Sequence, residues 1–512
     1  MSPMRTRAVP VTLAELVRSR VAESLQGDAA VAVTGVQRDS RRVSHGDLFV
    51  ALPGEHVDGG EFAHAAARAG ACAVLTSAPI EGLALPQLLA SDVRRGLALA
   101  SHLVYGEPSS VLEVVGITGT NGKTTTSYLL EAILIAAGKR VGLIGTVAVR
   151  GPGYATTSGY TTPEADDLVR YLAQAVSAGA SHLVMEVSSH GLELQRVLGT
   201  RFAVCGFTNL SQDHLDFHPS MEAYGEAKAL LFTEYAPRAS VICVDGDFGR
   251  ALADRAEGSV LRCSVRADSE APLRVLAWSM TRAGLRATLH TPDGEHTLES
   301  PMVGAHNLEN LLVALGCAAA LGVSYADAIA ACRSLVGAPG RLERVPCDED
   351  VAVFVDYAHT PDALERTVQA LRALSPARLI TVFGCGGDRD RGKRPLMARA
   401  ASVASDLVVL TSDNPRTEDA ESILDDVERG FAGADIARAS AEDLFSASRA
   451  YTRVVDRREA IALAIRSARP SDTVLIAGKG HEDYQIFGTT KVPFDDRIEA
   501  ATALAARPRR EA

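Results

Sequence analysis

Short apolar runs bounded by turn residues recur along the chain and alternate with longer amphipathic stretches. Runs at 111–116, 141–145, 183–187, 203–207 and 241–244 are interleaved with helical patterns such as Glu164–Ser177. These runs read as strands, and their alternation with helices implies right-handed βαβ units around a mostly parallel sheet. A second series at 351–355, 378–383, 407–411 and 473–477 follows the Pro339-Gly340 break. Each of its strands ends in a polar cluster: Asp356–His359, Gly384–Arg394, Ser412–Arg416 and Gly478–Asp483. In open α/β sheets ligands bind outside the carboxyl ends of the strands, so these clusters describe a ligand site.

The first section opens with Thr12-Leu-Ala-Glu15, a capping box, followed by strand-like runs at Val31–Val36, Asp47–Leu52 and Ala73–Thr76. Two polar loops separate them, one around Asp39-Ser40-Arg41-Arg42 and one around Pro53-Gly-Glu-His56. Near 270–300 the pattern becomes short alternating strands around Thr291-Pro-Asp-Gly294, a hairpin signal, which predicts an antiparallel edge or satellite sheet. The chain therefore reads as an α/β protein of three domains, 1–110, 111–338 and 339–512.

Length supports this, since 512 residues correspond to about three domains of roughly 150 residues each. A net charge of −11 argues against a nucleic-acid partner, which requires a basic surface. The eight cysteines form no C-x-x-C pair, and Cys205 and Cys243 sit inside apolar runs, as buried reduced thiols do. The first residues, Met-Ser-Pro-Met-Arg-Thr-Arg, carry no apolar signal segment, and the apolar run 311–323 is too short to span a bilayer. A cytoplasmic protein with no membrane partner is expected.

Chemistry is concentrated at Gly116-Ile-Thr-Gly-Thr-Asn-Gly-Lys-Thr-Thr-Thr126, directly after the run 111–115. A strand entering a glycine-rich turn and then a helix lets backbone N–H groups crowd around phosphate oxygens at a positive helix end. Lys123 suits the β- and γ-phosphates of a nucleotide and Thr124 suits Mg²⁺. The strict P-loop spacing is not met, because Ile117 stands where the first glycine belongs. ATP is the expected ligand.

Glu186, at the end of the strand 183–187, could hold Mg²⁺ alongside Thr124 if the two strands are neighbours. His214, in the run Asn209–Asp216, is a second candidate metal ligand or a substrate-orienting group. By spacing alone Lys228 is a surface lysine of an ordinary amphipathic helix. Arg341, beside the Pro339-Gly340 break, could reach a γ-phosphate.

Taken together these runs resemble the Mur ligases, the ATP-dependent amide-bond-forming enzymes of peptidoglycan synthesis. The resemblance passes through Gly119–Thr125, Met185–Leu192, Thr208–Asp216, Tyr224–Phe232, Gly304–Asn310, Pro339–Glu343, Asp356–Pro361, Asp413–Arg416 and Gly478–Gln485, nearly the whole chain. It implies a UDP-sugar-binding N-terminal domain, a central P-loop ATPase domain and a Rossmann-like, amino-acid-binding C-terminal domain. Gly119, Thr120, Asn121, Gly122, Lys123, Thr124 and Thr125 match the family's own G-T-x-G-K-[ST] loop, which accounts for the spacing.

Further roles follow from the resemblance alone. Lys228 falls where the family carries a carbamylated lysine, a carboxylate-like Mg²⁺ ligand beside Thr124, Glu186 and His214. Asn310 and Arg341 would contact ATP, and Asp356 and His359 would line the interdomain cleft. Thr161, Thr162, Ser188 and Arg196 would hold the peptide end of UDP-N-acetylmuramoyl-L-alanyl-D-glutamate, with Ser40, Glu55, His56 and Val57 on its uridine part. His306 departs from the Phe or Tyr that relatives more usually carry before the asparagine.

The run Asp413-Asn414-Pro415-Arg416 resembles the signature of the diaminopimelate-adding branch. Diaminopimelate is lysine with a second carboxylate at its far end, so a selective site needs a cation that lysine cannot use; Arg416 supplies a planar fork for it. Arg389, Gly478 and Glu482 would hold the rest of that distal end, with Glu482 on its ammonium. The implied reaction forms an acyl phosphate that an amine then attacks, with the second and third sections closing to exclude water. A monomer is expected. A lysine-adding ligase of the same fold is the nearest rival. A folylpolyglutamate synthase fits the long N-terminal section poorly, and a non-catalytic nucleotide switch leaves the four polar strand ends unexplained.

Overall fold

A computed structural model describes residues 10–54, 58–156, 159–347 and 350–507. Glu55, His56 and Val57, expected on the uridine side, lie outside the described residues. The chain gathers into two compact units. One holds residues 1–277, 288–297 and 309–332, and the other holds 278–287, 298–308 and 333–512.

The first unit begins with the capping box at Thr12–Glu15, which is formed in both directions. A five-stranded sheet comes next, in the order Ser24–Gln26, Gln87–Leu89, Ala73–Thr76, Asp47–Val50, Gly35–Gln37. The run expected as one strand at Val31–Val36 is two, Ala32–Val33 and Gly35–Gln37, because the Thr34 N–H turns to the carbonyl of Gly46.

The central sheet is built on β1 (Glu113–Thr118), β2 (Val141–Ile144), β3 (His182–Glu186), β4 (Val204–Phe207), β5 (Ala239–Cys243) and β6 (Ser259–Ser264). They are parallel and lie side by side in the order β2-β3-β1-β4-β5-β6. A short hairpin, Val149–Gly151 with Tyr154–Thr156, extends the β2 edge. Beyond β6 the strands Leu273–Thr281, Gly284–Thr291 and Gly294–Ser300 join this same sheet, so of the expected edge or satellite sheet they form the edge. The predicted turn is formed, with Thr291 Oγ1 donating to Gly294 O at 2.9 Å. Helix α1 (Lys123–Ala136) leaves the loop after β1, and α2 (Ala165–Ser177) precedes β3. Helix α3 (Met221–Thr233) precedes β5. Arg38 pairs with Asp166 and Asp167 on α2, tying the N-terminal sheet to the central one.

The second unit carries β7 (Ala352–Asp356), β8 (Leu379–Phe383), β9 (Leu407–Leu410), β10 (Ala450–Arg453) and β11 (Thr473–Ala477). They form a parallel sheet in the order β7-β11-β8-β9-β10. Alternate residues face opposite sides, as the two-residue strand period requires. Phe354, Phe383, Val408, Leu410 and Leu475 enter one core, while Val353, Val355, Ile380, Val382, Val409 and Ile476 enter the other. That double burial is why these strands are legible as continuous apolar runs. All eight cysteines are free. Among the described residues no helix is long and apolar enough to cross a membrane.

Candidate active site

The loop between β1 and α1 lies at the carboxyl edge of the central sheet. Gly119 and Gly122 both have left-handed backbone, φ 146° and 87°. A Cβ at either would sit about 2 Å from a neighbour, Thr208 Oγ1 and Asn310 Oδ1 respectively, so only glycine fits. The segment after β4 braces the loop from outside. Asn209 O accepts from Thr120 N at 2.8 Å, Asn209 Oδ1 accepts from Asn121 N at 3.0 Å, and Thr208 Oγ1 donates to Asn121 O at 2.6 Å. The first N–H groups of α1 have no acceptor within the helix and face the loop, which is the anion-binding arrangement expected there. Lys123 Nζ donates to Gly119 O and Thr120 O, both at 2.9 Å. Thr125 is buried in the first turn of α1, and Asn310 Oδ1 accepts from Thr126 Oγ1 at 3.2 Å.

β1 and β3 are neighbours, with Ile117 opposite Glu186. Thr124 Oγ1 therefore donates to Glu186 Oε2 at 2.8 Å, and Thr146, at the end of β2, adds its N–H at 2.7 Å and its hydroxyl at 3.2 Å. Glu186 is 1% exposed, and among the described residues no Arg, Lys or His pairs with it. A buried carboxylate held only by neutral donors still has its charge to satisfy, which suits a divalent cation.

Lys228 contradicts the reading from spacing. It is 1% exposed, on the inner side of α3, with Nζ donating to Gly119 O at 2.9 Å and lying 4.4 Å from the centre of the Tyr224 ring. No carboxylate pairs with it among the described residues. Burial drives its pKa well below the ordinary lysine value; Lys123 pushes the same way and Asp213 opposes weakly. A neutral buried amine is the form that reacts with CO₂, so the environment fits carbamate formation. His214 has left-handed backbone (φ 53°) and packs edge-on against His190 and Tyr224. Burial, with the neighbouring His214 and His218, lowers His190 to about 4. Among the described residues no three His, Cys, Asp or Glu converge to hold a metal. The donors at this place are a hydroxyl, one carboxylate, one half-exposed imidazole and the Lys228 amine.

Thr161, Thr162, Ser188 and Arg196 form one cluster beside Glu186. Thr161 Oγ1 lies 2.9 Å from Thr146 Oγ1, and Thr162 Oγ1 donates to Glu186 O at 3.0 Å and accepts from Ser188 N at 2.9 Å. Arg196 donates to Thr162 O at 3.1 Å, pairs with Glu164 at 2.7 Å and lies 4.9 Å from the centre of the exposed Tyr160 ring. Ser40 opens a short 3₁₀ turn capped by Asp39.

In the second unit the strand-end loops converge. Gly387 admits no side chain, because a Cβ would meet Pro415 O at 1.8 Å, and this contact packs the loop after β8 against Asp413–Arg416. Arg416 has φ 53° and is half-buried; its Nη1 donates to Gly387 O at 2.7 Å, and no carboxylate pairs with it among the described residues. A Cβ at Gly386 would lie 3.0 Å from Arg416 Nη1 and 3.8 Å from Arg389 Cγ, so both guanidinium side chains flank that point. Glu482 Oε2 accepts from Asn414 Nδ2 at 3.0 Å. Gly478, φ 117°, turns the chain out of β11 into this loop. Arg341 stacks 4.6 Å from the centre of Tyr357, whose other neighbours are His359 and His481. Asp356 is spent locally, on the N–H groups of Leu342 at 2.7 Å and Ala358 at 2.8 Å. Asn310 belongs to the first compact unit, and Arg341 and His359 to the second.

Comparison with known proteins settles the family. Models of the Mur ligase family catalytic domain, the Mur ligase middle domain and the Mur ligase glutamate ligase domain match residues 32–99, 117–318 and 340–480. The UDP-N-acetylmuramoyl-L-alanyl-D-glutamate--2,6-diaminopimelate ligase of Synechococcus sp. (strain WH7803) is 47% identical over 494 residues, 93% of this chain and 96% of that protein. The ligase of the same description from Geobacter metallireducens is 44% identical, over 93% and 95%. The chain belongs to the Mur ligase family. A solved structure of a diaminopimelate ligase of that description superposes with a TM-score of 0.70 at 34% identity, over 97% of this chain and 99% of that one. The MurF ligase of Thermotoga maritima, solved with ADP, shares the fold at a TM-score of 0.61 and 19% identity, over 92% and 97%.

This Mur ligase is thus an ATP-dependent, amide-bond-forming enzyme. Reading the sequence missed Thr146, which bridges Glu186 and Thr161; the only signal was a polar residue after Gly145, the glycine that follows β2. It also missed Lys479, whose loop was noted only for its glycine and its glutamate. A separate cleft of about 810 Å³ opens at the opposite end of β4 and β5, lined by Leu198, Phe202 and Tyr235, and holds none of the expected site residues.

Proposed function

We propose that the enzyme joins diaminopimelate to the D-glutamate carboxylate of UDP-N-acetylmuramoyl-L-alanyl-D-glutamate. The observation that carries this reading is Arg416, a half-buried guanidinium without a carboxylate partner among the described residues, on the loop whose Asn414 is hydrogen-bonded to Glu482. Together they offer one cation and one anion to a zwitterionic amino-acid end. The names of the relatives that are about 45% identical over nearly the full length support it.

Thr161, Thr162, Ser188 and Arg196 hold the peptide end beside Glu186, and Ser40 belongs to the uridine side. The loop amides of Gly119–Thr125 and Lys123 stabilise the charge that spreads over the transferred phosphoryl group. The glutamate carboxylate takes the γ-phosphoryl and ADP leaves. The amine then attacks the acyl carbon, loses its proton and expels phosphate. Thr124, Glu186, His214 and Lys228 as its carbamate would hold Mg²⁺, which neutralises phosphate charge when bound. Domain limits of 1–110, 111–338 and 339–512 and a cytoplasmic monomer complete the reading.

Phosphate release with meso-diaminopimelate, LL-diaminopimelate and L-lysine tests it. A diaminopimelate isomer should be the best amine; lysine as an equal or better substrate would assign the enzyme to the lysine-adding branch.

A further inference from the structure

Lys479 sits in the amino-acid pocket without a role in the reaction just described. It is fully buried, and its Nζ donates to Asp413 Oδ1 at 3.3 Å, Asn414 Oδ1 at 3.1 Å and Glu482 Oε2 at 3.2 Å. The ring of Tyr484 lies 5.6 Å away. Asn414 is fixed from both ends, since its Oδ1 also accepts from Ile486 N at 3.1 Å and its Nδ2 donates to Glu482. Gln485 Nε2 holds the Asp413 carbonyl at 2.8 Å. The neighbouring cation, Arg457, is consumed by Asp496 in a fully buried pair.

The charges tied to the Lys479 ammonium or carried on the Asp413–Arg416 loop are Asp413, Glu482, Lys479 and Arg416. They sum to zero. Arg389 is exposed at the rim, where solvent screening leaves it little weight. A neutral pocket matches an amino-acid end that carries an ammonium and a carboxylate together. It leaves a lone ammonium uncompensated.

We propose that Lys479 is a positioning and specificity residue. Its ammonium locks Asp413, Asn414 and Glu482 into one arrangement and cancels one of their two negative charges. The pocket then selects a zwitterionic distal end over a cationic one. This rests on the diaminopimelate reading of the same pocket.

The test measures kcat/KM of the full-length enzyme for diaminopimelate and for L-lysine. Lys479→Met leaves the pocket one charge negative. It should raise the lysine-to-diaminopimelate ratio at least about tenfold, chiefly through KM for diaminopimelate, while KM for ATP stays within about twofold. Lys479→Arg should keep the preference of the wild type. Adding Asp413→Asn to Lys479→Met restores neutrality and should return the ratio to within about threefold of wild type. If Lys479→Met does not fold, that double variant carries the test alone. A selective wild type whose Lys479→Met variant loses both amines in proportion, or a folded double variant that stays unselective, overturns the proposal. A wild type that does not prefer diaminopimelate instead overturns the reading of the pocket, and the proposal falls with it.

Discussion

Lys228 and Lys479 are both almost wholly removed from water, at the strand ends of two different sheets, and their surroundings are opposite. Lys228 faces a carbonyl, an aromatic ring and another lysine, with no carboxylate paired to it among the described residues. Lys479 faces two carboxylates and an amide oxygen. Desolvation alone disfavours a charged amine, and only a paired one recovers that cost. Burial therefore lowers the pKa of the Lys228 amine and favours the form that reacts with CO₂, while the two carboxylates and the amide oxygen hold the Lys479 side chain by hydrogen bonds. In the proposed reading the first surroundings suit a metal ligand and the second a specificity pocket.

The largest effect should come from the chemistry of Lys228. Lys228→Ala should lower ligation by on the order of 100-fold or more, because the phosphoryl charge loses its stabilising arrangement. Acetate or formate should restore part of the rate by supplying a carboxylate in the vacated space. Near-normal turnover in the alanine variant would return Lys228 to a packing role.

Stability should separate the two lysines in the other direction. Lys479→Met strands Asp413 and Glu482 in a buried pocket and should cost about 3–5 kcal/mol in denaturant unfolding. Lys228→Met removes an amine whose desolvation opposes folding and leaves Gly119 O to Lys123, so stability near neutral pH should hold or rise. Equal losses in the two variants would erase the contrast between them.

Most of the parallel strands were legible to within two residues, because Val-, Ile- and Leu-rich runs buried on both faces admit little else. Short elements were not. The hairpin at Val149–Gly151 and strand β10, Ala-Tyr-Thr-Arg, carry no apolar run of their own and form only because a sheet edge is there to pair with. Candidate site residues were visible where glycine marked a loop, as at Gly119–Lys123. Lys228 was invisible by periodicity because α3 is buried at Tyr224, Gly225, Ala227, Lys228, Ala229, Leu231 and Phe232, nearly all round, which leaves no polar face to assign it to. Lys479 was passed over for a related reason: a lysine in a glycine-rich loop looks solvated until its partners, 65 and 66 residues away in sequence, are placed.

Arg416 sharpens the comparison from the substrate side, as a cation of the Lys479 pocket that no carboxylate of the described residues holds. Losing one charge-assisted pair costs about 1.5–3 kcal/mol. Arg416→Ala should therefore lower kcat/KM for diaminopimelate at least about tenfold, by that same principle, and barely alter the poor reaction with lysine. An equal loss for both amines would make Arg416 a loop-shaping residue through its bond to Gly387.

The smallest expected effect is a pH dependence that belongs to Lys228. Its folded pKa lies below the ordinary value of 10.5, with Lys123 lowering it further and Asp213 opposing. Between the two values the unfolded chain binds a proton that the folded chain refuses, so the unfolded state holds more protons and stability rises with pH across that window. In CO₂-free buffer the wild type should therefore gain stability relative to Lys228→Met as pH is raised toward 10.5. Adding bicarbonate should flatten the gain, because a carbamate no longer carries the amine's proton. Parallel curves for the two proteins in CO₂-free buffer would mean that Lys228 titrates as a solvated lysine, and burial would then no longer account for a carbamylated side chain.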